Sequence, residues 1–319
     1  MGDERIVAIV IGRNEGDRLI TCLESLKGRF DTIIYVDSGS TDGSQDAARS
    51  IGAEVVPLDL SIPFTAARAR NAGLDRASKL NPRPVYVQFL DGDCALQPNW
   101  LEAACAAMKK YPNSAVVCGR RRERFPQSSI YNAVIDEEWN TPVGQARSCG
   151  GDALMRMEPL LAVGGYRPSM IAGEEPELCV RLRAAGWDIW RIDAEMTLHD
   201  AAITRFGQWW QRSKRAGHAF AEGAALHGAP PERHNITARR RSVIWGGGFI
   251  LALLLGLFVH PALFFILLLW PAQVLRLKMR GASLSSATLM VLGKLPEFQG
   301  VMLYYWSSFT GPRKLIEYK

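Results

Sequence analysis

Val85-Tyr-Val-Gln-Phe-Leu-Asp-Gly-Asp93 is a short apolar run that ends in two carboxylates separated by one glycine. Its length and its β-branched and aromatic residues predict a strand, and its near-continuous apolarity predicts one covered on both faces. Three runs of the same kind precede it: Ile6-Val-Ala-Ile-Val-Ile11, Thr32-Ile-Ile-Tyr-Val36 and Glu54-Val-Val-Pro57. Amphipathic stretches separate them. Leu19, Leu23 and Leu26 recur at helical spacing, and residues 44–51, 65–79 and 99–110 also read as helices. Strand and helix in alternation, with short connections, predict an α/β domain: a mainly parallel sheet with helices on both faces. Ser114-Ala-Val-Val-Cys118 adds a further strand.

From 126 to 235 the pattern is mixed. Short helices are expected at 159–163 and 177–185, an extended stretch at 190–198 and a longer helix at 205–225, which Gly228-Ala-Pro-Pro231 ends. The 319 residues are 48% hydrophobic and 22% charged, enough core for one large or two smaller domains and too apolar for a disordered chain. Six cysteines, with no C-x-x-C pair among them, exclude a disulfide scaffold and suggest reduced thiols. The run Ile6–Ile11 is too short for an export signal and follows Asp3 and Glu4 rather than basic residues. Met1-Gly2 is followed by Ile6 where myristoylation wants Ser or Thr, so that anchor is not expected.

The net charge of +6 is unevenly placed. After residue 235, ten Lys and Arg stand against Glu297 and Glu317, a local net of +8 that leaves −2 for the first 235 residues. That distribution argues against a nucleic-acid binder and for a near-neutral domain joined to a basic, apolar membrane tail. Residues 243–277 carry no charge until Arg276. Arg239-Arg-Arg241 precedes the run; Arg276, Lys278 and Arg280 close it; and His260-Pro261 interrupts it. Basic flanks stay on the cytoplasmic side, which favours a hairpin over a single crossing. Residues 284–309, with Lys294 and Glu297 inside and Tyr304-Tyr-Trp306 near the end, read as a helix at the membrane surface. The organisation expected is a catalytic domain at 1–235, a membrane hairpin or transmembrane segment at 236–282 and an interfacial segment at 283–319.

In an open α/β sheet, ligands sit beyond the carboxyl ends of the strands, so those loops are the candidate site. Gly12-Arg-Asn14-Glu15-Gly16 follows the first strand and Asp37-Ser-Gly-Ser-Thr-Asp-Gly43 the second. Asp37 is placed to receive a base N–H or a ribose hydroxyl. Asp91-Gly92-Asp93 can hold a divalent cation, because Mg²⁺ and Mn²⁺ prefer hard oxygen ligands shared with phosphates. An Asp-x-Asp alone also arises in surface turns; its position directly after a strand is what marks this one. Glu174-Glu175-Pro-Glu177 opens a helix, where acids suit the helix dipole and a cleft carboxylate could serve as general base. His199 follows the stretch at 190–198. Gln208-Trp209-Trp-Gln-Arg212-Ser-Lys-Arg215 sets aromatics beside bases on a helix, which suits a membrane or an acceptor diphosphate.

Taken together, these pieces resemble the inverting family 2 glycosyltransferases of the GT-A fold, over about residues 5 to 220. The matching motifs are Val10-Ile-Gly-Arg-Asn-Glu-Gly16, Val36-Asp-Ser-Gly-Ser-Thr-Asp-Gly43, Ala69-Arg-Asn-Ala-Gly73, Asp91-Gly-Asp93, Gly164-Gly-Tyr166 and Gly173-Glu-Glu-Pro-Glu-Leu178, in order. The resemblance implies that Gly12, Asn14, Glu15, Asp37, Arg70, Asp91 and Gly92 border the nucleotide sugar. It implies that Asp93, with Asp91 and His199, holds Mn²⁺ or Mg²⁺. The family commonly has Glu-Asp where this chain has Glu174-Glu175, so Glu175 takes the place of the catalytic Asp, one methylene further out, and Glu174 or Glu177 could share the role. Arg212, Arg215 and Trp209 lie near a Gln-x-x-Arg-Trp motif of some members, whose spacing they do not reproduce. The implied enzyme moves a sugar, from a UDP-sugar first among candidates, to a lipid-linked or polysaccharide acceptor at the inner membrane, with its catalytic domain in the cytosol. Its partners are the donor, a glycan or lipid-linked acceptor and membrane lipids, and no nucleic acid.

Two other classes fit parts of the pattern. A nucleotidyltransferase of similar fold would want a glycine-rich, basic first loop, which Gly12-Arg13-Asn14 matches poorly. A non-catalytic membrane scaffold would not need Asp91, Asp93 and Glu175 together. A dinucleotide oxidoreductase is disfavoured because no G-x-G-x-x-G follows the first strand.

Overall fold

The structure is a computed structural model that describes residues 5–310. It divides into two compact units. The first takes in the chain to Ser128, Ile135–Met170 and Glu174–Ala202. The second takes in Ser129–Val134, Ile171–Gly173 and the chain from Ile203.

The first unit is built on one mixed sheet. Its elements are β1 (Ile6–Gly12), α1 (Asp17–Leu26), β2 (Thr32–Asp37), α2 (Ser44–Ile51), β3 (Glu54–Pro57), α3 (Ala66–Ser78), β4 (Tyr86–Asp91), β5 (Cys94–Leu96), α4 (Trp100–Lys110) and β6 (Ser114–Glu123). They continue with α5 (Ile130–Glu138, begun in the second unit), β7 (Gly144–Gln145), β8 (Ala153–Arg156), α6 (Met157–Ala162), α7 (Glu174–Ala184) and β9 (Asp188–His199). The strand order is β3-β2-β1-β4-β8-β6-β9-β5, with β7 paired to β9.

The parallel half is the one the apolar runs predict. β1 lies between β2 and β4, and all three are parallel. Val7, Ile9, Ile34, Val36, Val87 and Phe89 are fully buried, which is why these strands lack alternation. Beyond β4 the sheet departs from the expectation: β8 runs antiparallel between β4 and β6, and β5 runs antiparallel to β9. The register matters for function. Gly12 faces Asp37 and Ile11 faces Asp91, so the loops after β1, β2 and β4 leave the sheet at one edge. α3 starts on Thr65, whose hydroxyl accepts the Arg68 N–H, a cap worth about 1 kcal/mol, and this fixes the turn that carries Arg70.

The second unit is helical. Its elements are α8 (Phe206–His227), α9 (Ile236–Ser242), α10 (Gly248–Phe258), α11 (Leu269–Met279), α12 (Leu284–Leu292) and α13 (Lys294–Thr310). α8, placed within residues 1–235 by the sequence, falls in this unit and packs chiefly on α13 and α9. A π turn at Val243–Gly247 joins α9 to α10, giving one helix of 23 residues, Ile236–Phe258. The chain breaks at His260, whose Nδ1 accepts the Ala262 N–H, and returns as Pro261–Met279, 19 residues that start in a 3₁₀ stretch. Each arm extends beyond the uncharged run, the first because it begins before Arg239 and the second because it ends past Arg276 and Lys278.

Phe264 packs on Gly256, and Trp270 meets Trp245 and Phe249 edge to face at 5.5 and 5.1 Å, closing the hairpin. Both arms are long and apolar enough to cross a membrane. Their outer faces are bare: Phe258 is 81% and Phe265 74% exposed.

The stretch read as one helix over 284–309 is two helices. It breaks at Gly293 into α12 and α13, and α13 lies along α8 with Val301 and Tyr304 buried. The reason is close backbone approach: a methyl at Gly217 would overlap the Glu297 carbonyl, and one at Gly300 the Lys214 carbonyl. Lys294 and Glu297, costly in an apolar setting when alone, pair at 2.7 Å, and the Ser242 hydroxyl donates to Glu297 at 2.6 Å. Met1-Gly2 and the last nine residues of the 283–319 segment lie outside the described residues.

Candidate active site

Asp91 ends β4, Gly92 makes the turn and Cys94 begins β5, so the two carboxylates sit on a tight reversal rather than an open loop. The Gly92 N–H donates to the Ile11 carbonyl at 2.8 Å, which ties this reversal to β1. β9 runs antiparallel to β5 and places His199 opposite Cys94; the Asp200 N–H donates to the Asp93 carbonyl at 3.0 Å. His199 Nε2 therefore lies 3.3 Å from Asp93 Oδ1. On the other side of β9, Glu123 of β6 faces His199, its carboxylate 3.8 Å from Nδ1.

This is a donor set that fits a divalent cation. Asp93 is only 4% exposed, and His199 Nδ1 is buried without a hydrogen bond, with the Glu123 carboxylate 3.8 Å away. Cys94 Sγ lies in the same cluster, but Mn²⁺ and Mg²⁺ favour hard oxygen and imidazole donors, which leaves Asp93 and His199.

A second cluster adjoins the first. Arg70 is 2% exposed and its guanidinium holds three carboxylates: Asp91 at 2.7 Å, Glu174 at 2.8 Å and Glu175 at 3.0 Å. Glu174 and Glu175 open α7, where the helix N-terminus favours negative charge. The two are not equivalent. The Glu174 side chain is 5% exposed and the Glu175 side chain 14%. Glu175 also shares a floor with Asp91: a methyl built on Gly151 would lie 2.7 Å from Asp91 Oδ2 and 3.1 Å from Glu175 Oε1. Burial, and then the neighbouring Glu174 charge, push the Glu175 carboxyl up to about 7, against the pull of Arg70. Of the two, Glu175 is the more accessible to a bound acceptor. Glu177 is fully buried and held by Arg181 and Arg167, away from that role.

The remaining candidates are placed as follows. Asp37 is buried, and its carboxylate organises its own loop: Oδ2 accepts the N–H groups of Gly39 and Ser40 and the Gln45 amide, and Oδ1 accepts the Tyr35 hydroxyl. Asn14 bridges the loops after β1 and β2, donating its N–H to Ser40 and accepting that of Thr41. Glu15 pairs with Arg18 at 2.8 Å, and its chain lies against Gly12 and Gly92. Arg212 and Arg215 are half-buried on α8 of the second unit. Trp209 departs from the surface role expected of it. It is buried, with its ring 6.0 Å from Tyr131 and 5.4 Å from Phe206, because its area is used to pack that unit.

Sequence reasoning missed Arg121, Trp139, Gly151 and Asp152. Arg121 sits in the triplet Arg120-Arg121-Arg122, which reads as a solvated charge run, and Gly150-Gly151-Asp152 reads as a turn.

Comparison with known proteins bears on the family and the fold. Residues 7–150 match glycosyl transferase family 2. The succinoglycan biosynthesis protein ExoA of Rhizobium meliloti is 26% identical over 215 residues, 62% of this chain and 64% of that protein, so the match spans less than two thirds of that relative. Glycosyltransferase AglE of Haloferax volcanii is 23% identical over 218 residues, 64% of this chain and 69% of the relative. Among solved structures, the mannosyltransferase PcManGT of Pyrobaculum calidifontis, in complex with GDP-Man and Mn²⁺, has a TM-score of 0.59 at 16% identity, covering 95% of this chain and 87% of that one. Glucosyl-3-phosphoglycerate synthase of Mycobacterium tuberculosis, with Mn²⁺, UDP and glucosyl-3-phosphoglycerate, has a TM-score of 0.51 at 19% identity, covering 72% and 81%. These likenesses show the fold.

Proposed function

Residues 7–150 are a family 2 glycosyltransferase domain, and from that premise we propose that the chain is an inverting, membrane-attached glycosyltransferase. The donor is a nucleotide sugar, UDP-sugars first among candidates, and the acceptor a lipid-linked or polysaccharide hydroxyl. The observation that carries this reading is the pairing of two sites on one sheet edge. A partly buried carboxylate poised near neutrality, Glu175, shares a glycine floor with Asp91, and the Asp93–His199 pair lies on the next turn of chain.

Glu175 takes the proton of the acceptor hydroxyl as its oxygen attacks the anomeric carbon. The bond from that carbon to the diphosphate breaks on the opposite face, and the nucleoside diphosphate leaves with the bonding electrons. One displacement inverts the anomeric centre and needs no covalent nucleophile. Arg70 holds Glu174, Glu175 and Asp91 in one array, so the base is set before the acceptor arrives. Mn²⁺ or Mg²⁺ held by Asp93 and His199 would supply charge neutralisation for the departing diphosphate.

The exposed apolar hairpin supports attachment to a lipid bilayer. Arg239–Arg241 at its first arm and Arg276, Lys278 and Arg280 at its last support an inner-membrane location with both ends in the cytosol, where nucleotide sugars are made. A binding screen of UDP-, GDP- and dTDP-sugars with Mn²⁺ or Mg²⁺ tests the donor class. Metal-dependent binding of one nucleotide family supports it, and no binding of any opposes it.

A further inference from the structure

Two charged groups beside the site, one fully buried and one partly buried, have no part in the reading above. Asp152 is fully buried at the entry to β8, where it accepts two hydrogen bonds and forms one ion pair. Its Oδ1 accepts the Asp91 main-chain N–H at 3.1 Å, and its Oδ2 accepts the Thr197 hydroxyl at 2.7 Å and faces Arg121 Nη2 at 3.0 Å. Asp91 lies two residues before Asp93, and Thr197 two residues before His199. One carboxylate therefore clasps the end of β4, just before Asp93, and β9, just before His199. Arg121, on β6, also reaches Asp91 Oδ2 at 3.5 Å and lies over the Trp139 ring at 5.4 Å, while that ring meets the His199 imidazole edge to face at 4.8 Å. The chain Asp152–Arg121–Trp139 thus runs from the Asp91 end of the site to the His199 end.

We propose that Asp152 and Arg121 are a positioning pair that sets the spacing between Asp93 and His199 for a divalent cation. The inference rests on the metal-assisted reading above. An apolar or merely polar filler would satisfy packing, but the ionised pair does more. Asp152 accepts from a main-chain N–H and a hydroxyl at once, and Arg121 compensates that buried charge by an ion pair while it also faces the Asp91 carboxylate. Groups that orient the ligands of a cation typically govern metal affinity by about 10- to 100-fold.

The test is Mn²⁺ titration of the full-length protein followed by electron paramagnetic resonance, which reads free Mn²⁺ without any turnover. Asp152→Asn keeps the size and one acceptor oxygen but loses the charge; Arg121→Met keeps the stem and loses the charge. Each is expected to weaken Mn²⁺ binding about tenfold or more. The double variant is expected to be no weaker than the worse single one, because the two act as a unit. Arg121→Lys, which keeps a charge near Asp152, is expected to recover part of the loss. Unchanged Mn²⁺ affinity in both single variants, or simply additive losses in the double variant, overturns the pairing. Absence of Mn²⁺ binding by the unmodified protein overturns the metal-assisted reading itself, and so separates the two failures. Should Asp152→Asn not fold, Arg121→Met and Arg121→Lys alone decide, since the Arg121 side chain keeps some contact with solvent.

Discussion

A single methyl group should disable the site while leaving its neighbour position tolerant. Gly150 and Gly151 are adjacent, and neither has the positive φ that would penalise a side chain on backbone grounds. A Cβ at Gly150 meets only the tip of Arg121, at 3.9 Å. A Cβ at Gly151 would lie 2.7 Å from Arg70 Nη2, 2.7 Å from Asp91 Oδ2 and 3.1 Å from Glu175 Oε1. Normal contact needs about 3.5 Å, so each group must retreat by roughly half to one ångström. None can do so independently, because Arg70 binds Asp91, Glu174 and Glu175 at 2.7–3.0 Å. Overpacking of this kind costs about 1–3 kcal/mol of stability. Misplacing the base by up to an ångström costs on the order of 10²-fold in rate. We therefore expect Gly151→Ala to fold with a modestly lowered melting temperature and to lose about 100-fold in kcat. Gly150→Ala should lose less than about threefold, because contacts at 3.9 Å are ordinary van der Waals packing. Circular dichroism melts and initial-rate assays on the two variants measure this. Equal rates for Gly151→Ala and the unmodified protein, or equal losses at both positions, would refute the proposed floor.

Other outcomes follow from the same geometry. Glu175→Gln keeps the shape and the Arg70 contact but cannot accept a proton, so kcat should fall about 10²- to 10⁴-fold with donor affinity unchanged, as equilibrium binding and rate assays would show. The base works when ionised, and its carboxyl is pushed up to about 7, so the rate should rise with pH across neutrality and flatten above pH 8; a rate already flat at pH 5 would contradict the assignment. Asp93→Asn should abolish metal-dependent donor binding. Because Asp93 is buried beside His199, the melting temperature should be read in parallel, and loss of binding with the fold intact is the expected result. For the hairpin, single cysteines at Ala238 and Ala282 should both resist a membrane-impermeant thiol reagent in intact cells and react once the membrane is opened. Labelling of only one before opening would mean a single crossing.

The parallel half of the sheet was legible because strands buried on both faces must be apolar throughout. The short strands were not. β5 has three residues, β7 two and β8 four, too few to show a period, and β8 runs straight into α6. Yet β8 and β5 turn a parallel sheet into a mixed one and give Asp91 and Asp93 their setting. The charged groups divide in the same way. Acids at strand ends were found by position. Arg121 was hidden in a triplet whose members look alike in sequence. Strand alternation separates them: Arg120 and Arg122 turn to Asp136, at 3.5 and 3.1 Å, and Arg121 turns the other way, to Asp152. Asp37 was found, but not what it does in this structure, because a carboxylate that caps its own loop and one that awaits a ligand share one residue type. Trp209 shows the converse error, since an interfacial aromatic and a packed one look the same until a partner such as Tyr131 is known.

The central claim is a metal-assisted inverting transfer, and product stereochemistry tests it most directly. The full-length protein in lipid nanodiscs would be given the α-linked nucleotide sugar it binds, with Mn²⁺ and a lipid-linked or oligosaccharide acceptor, and the anomeric configuration of the first product read by proton NMR. The account predicts a β-linked product that forms with Mn²⁺ and does not form once the metal is chelated. An α-linked product, or a β-linked product made equally well in the chelator, would contradict it.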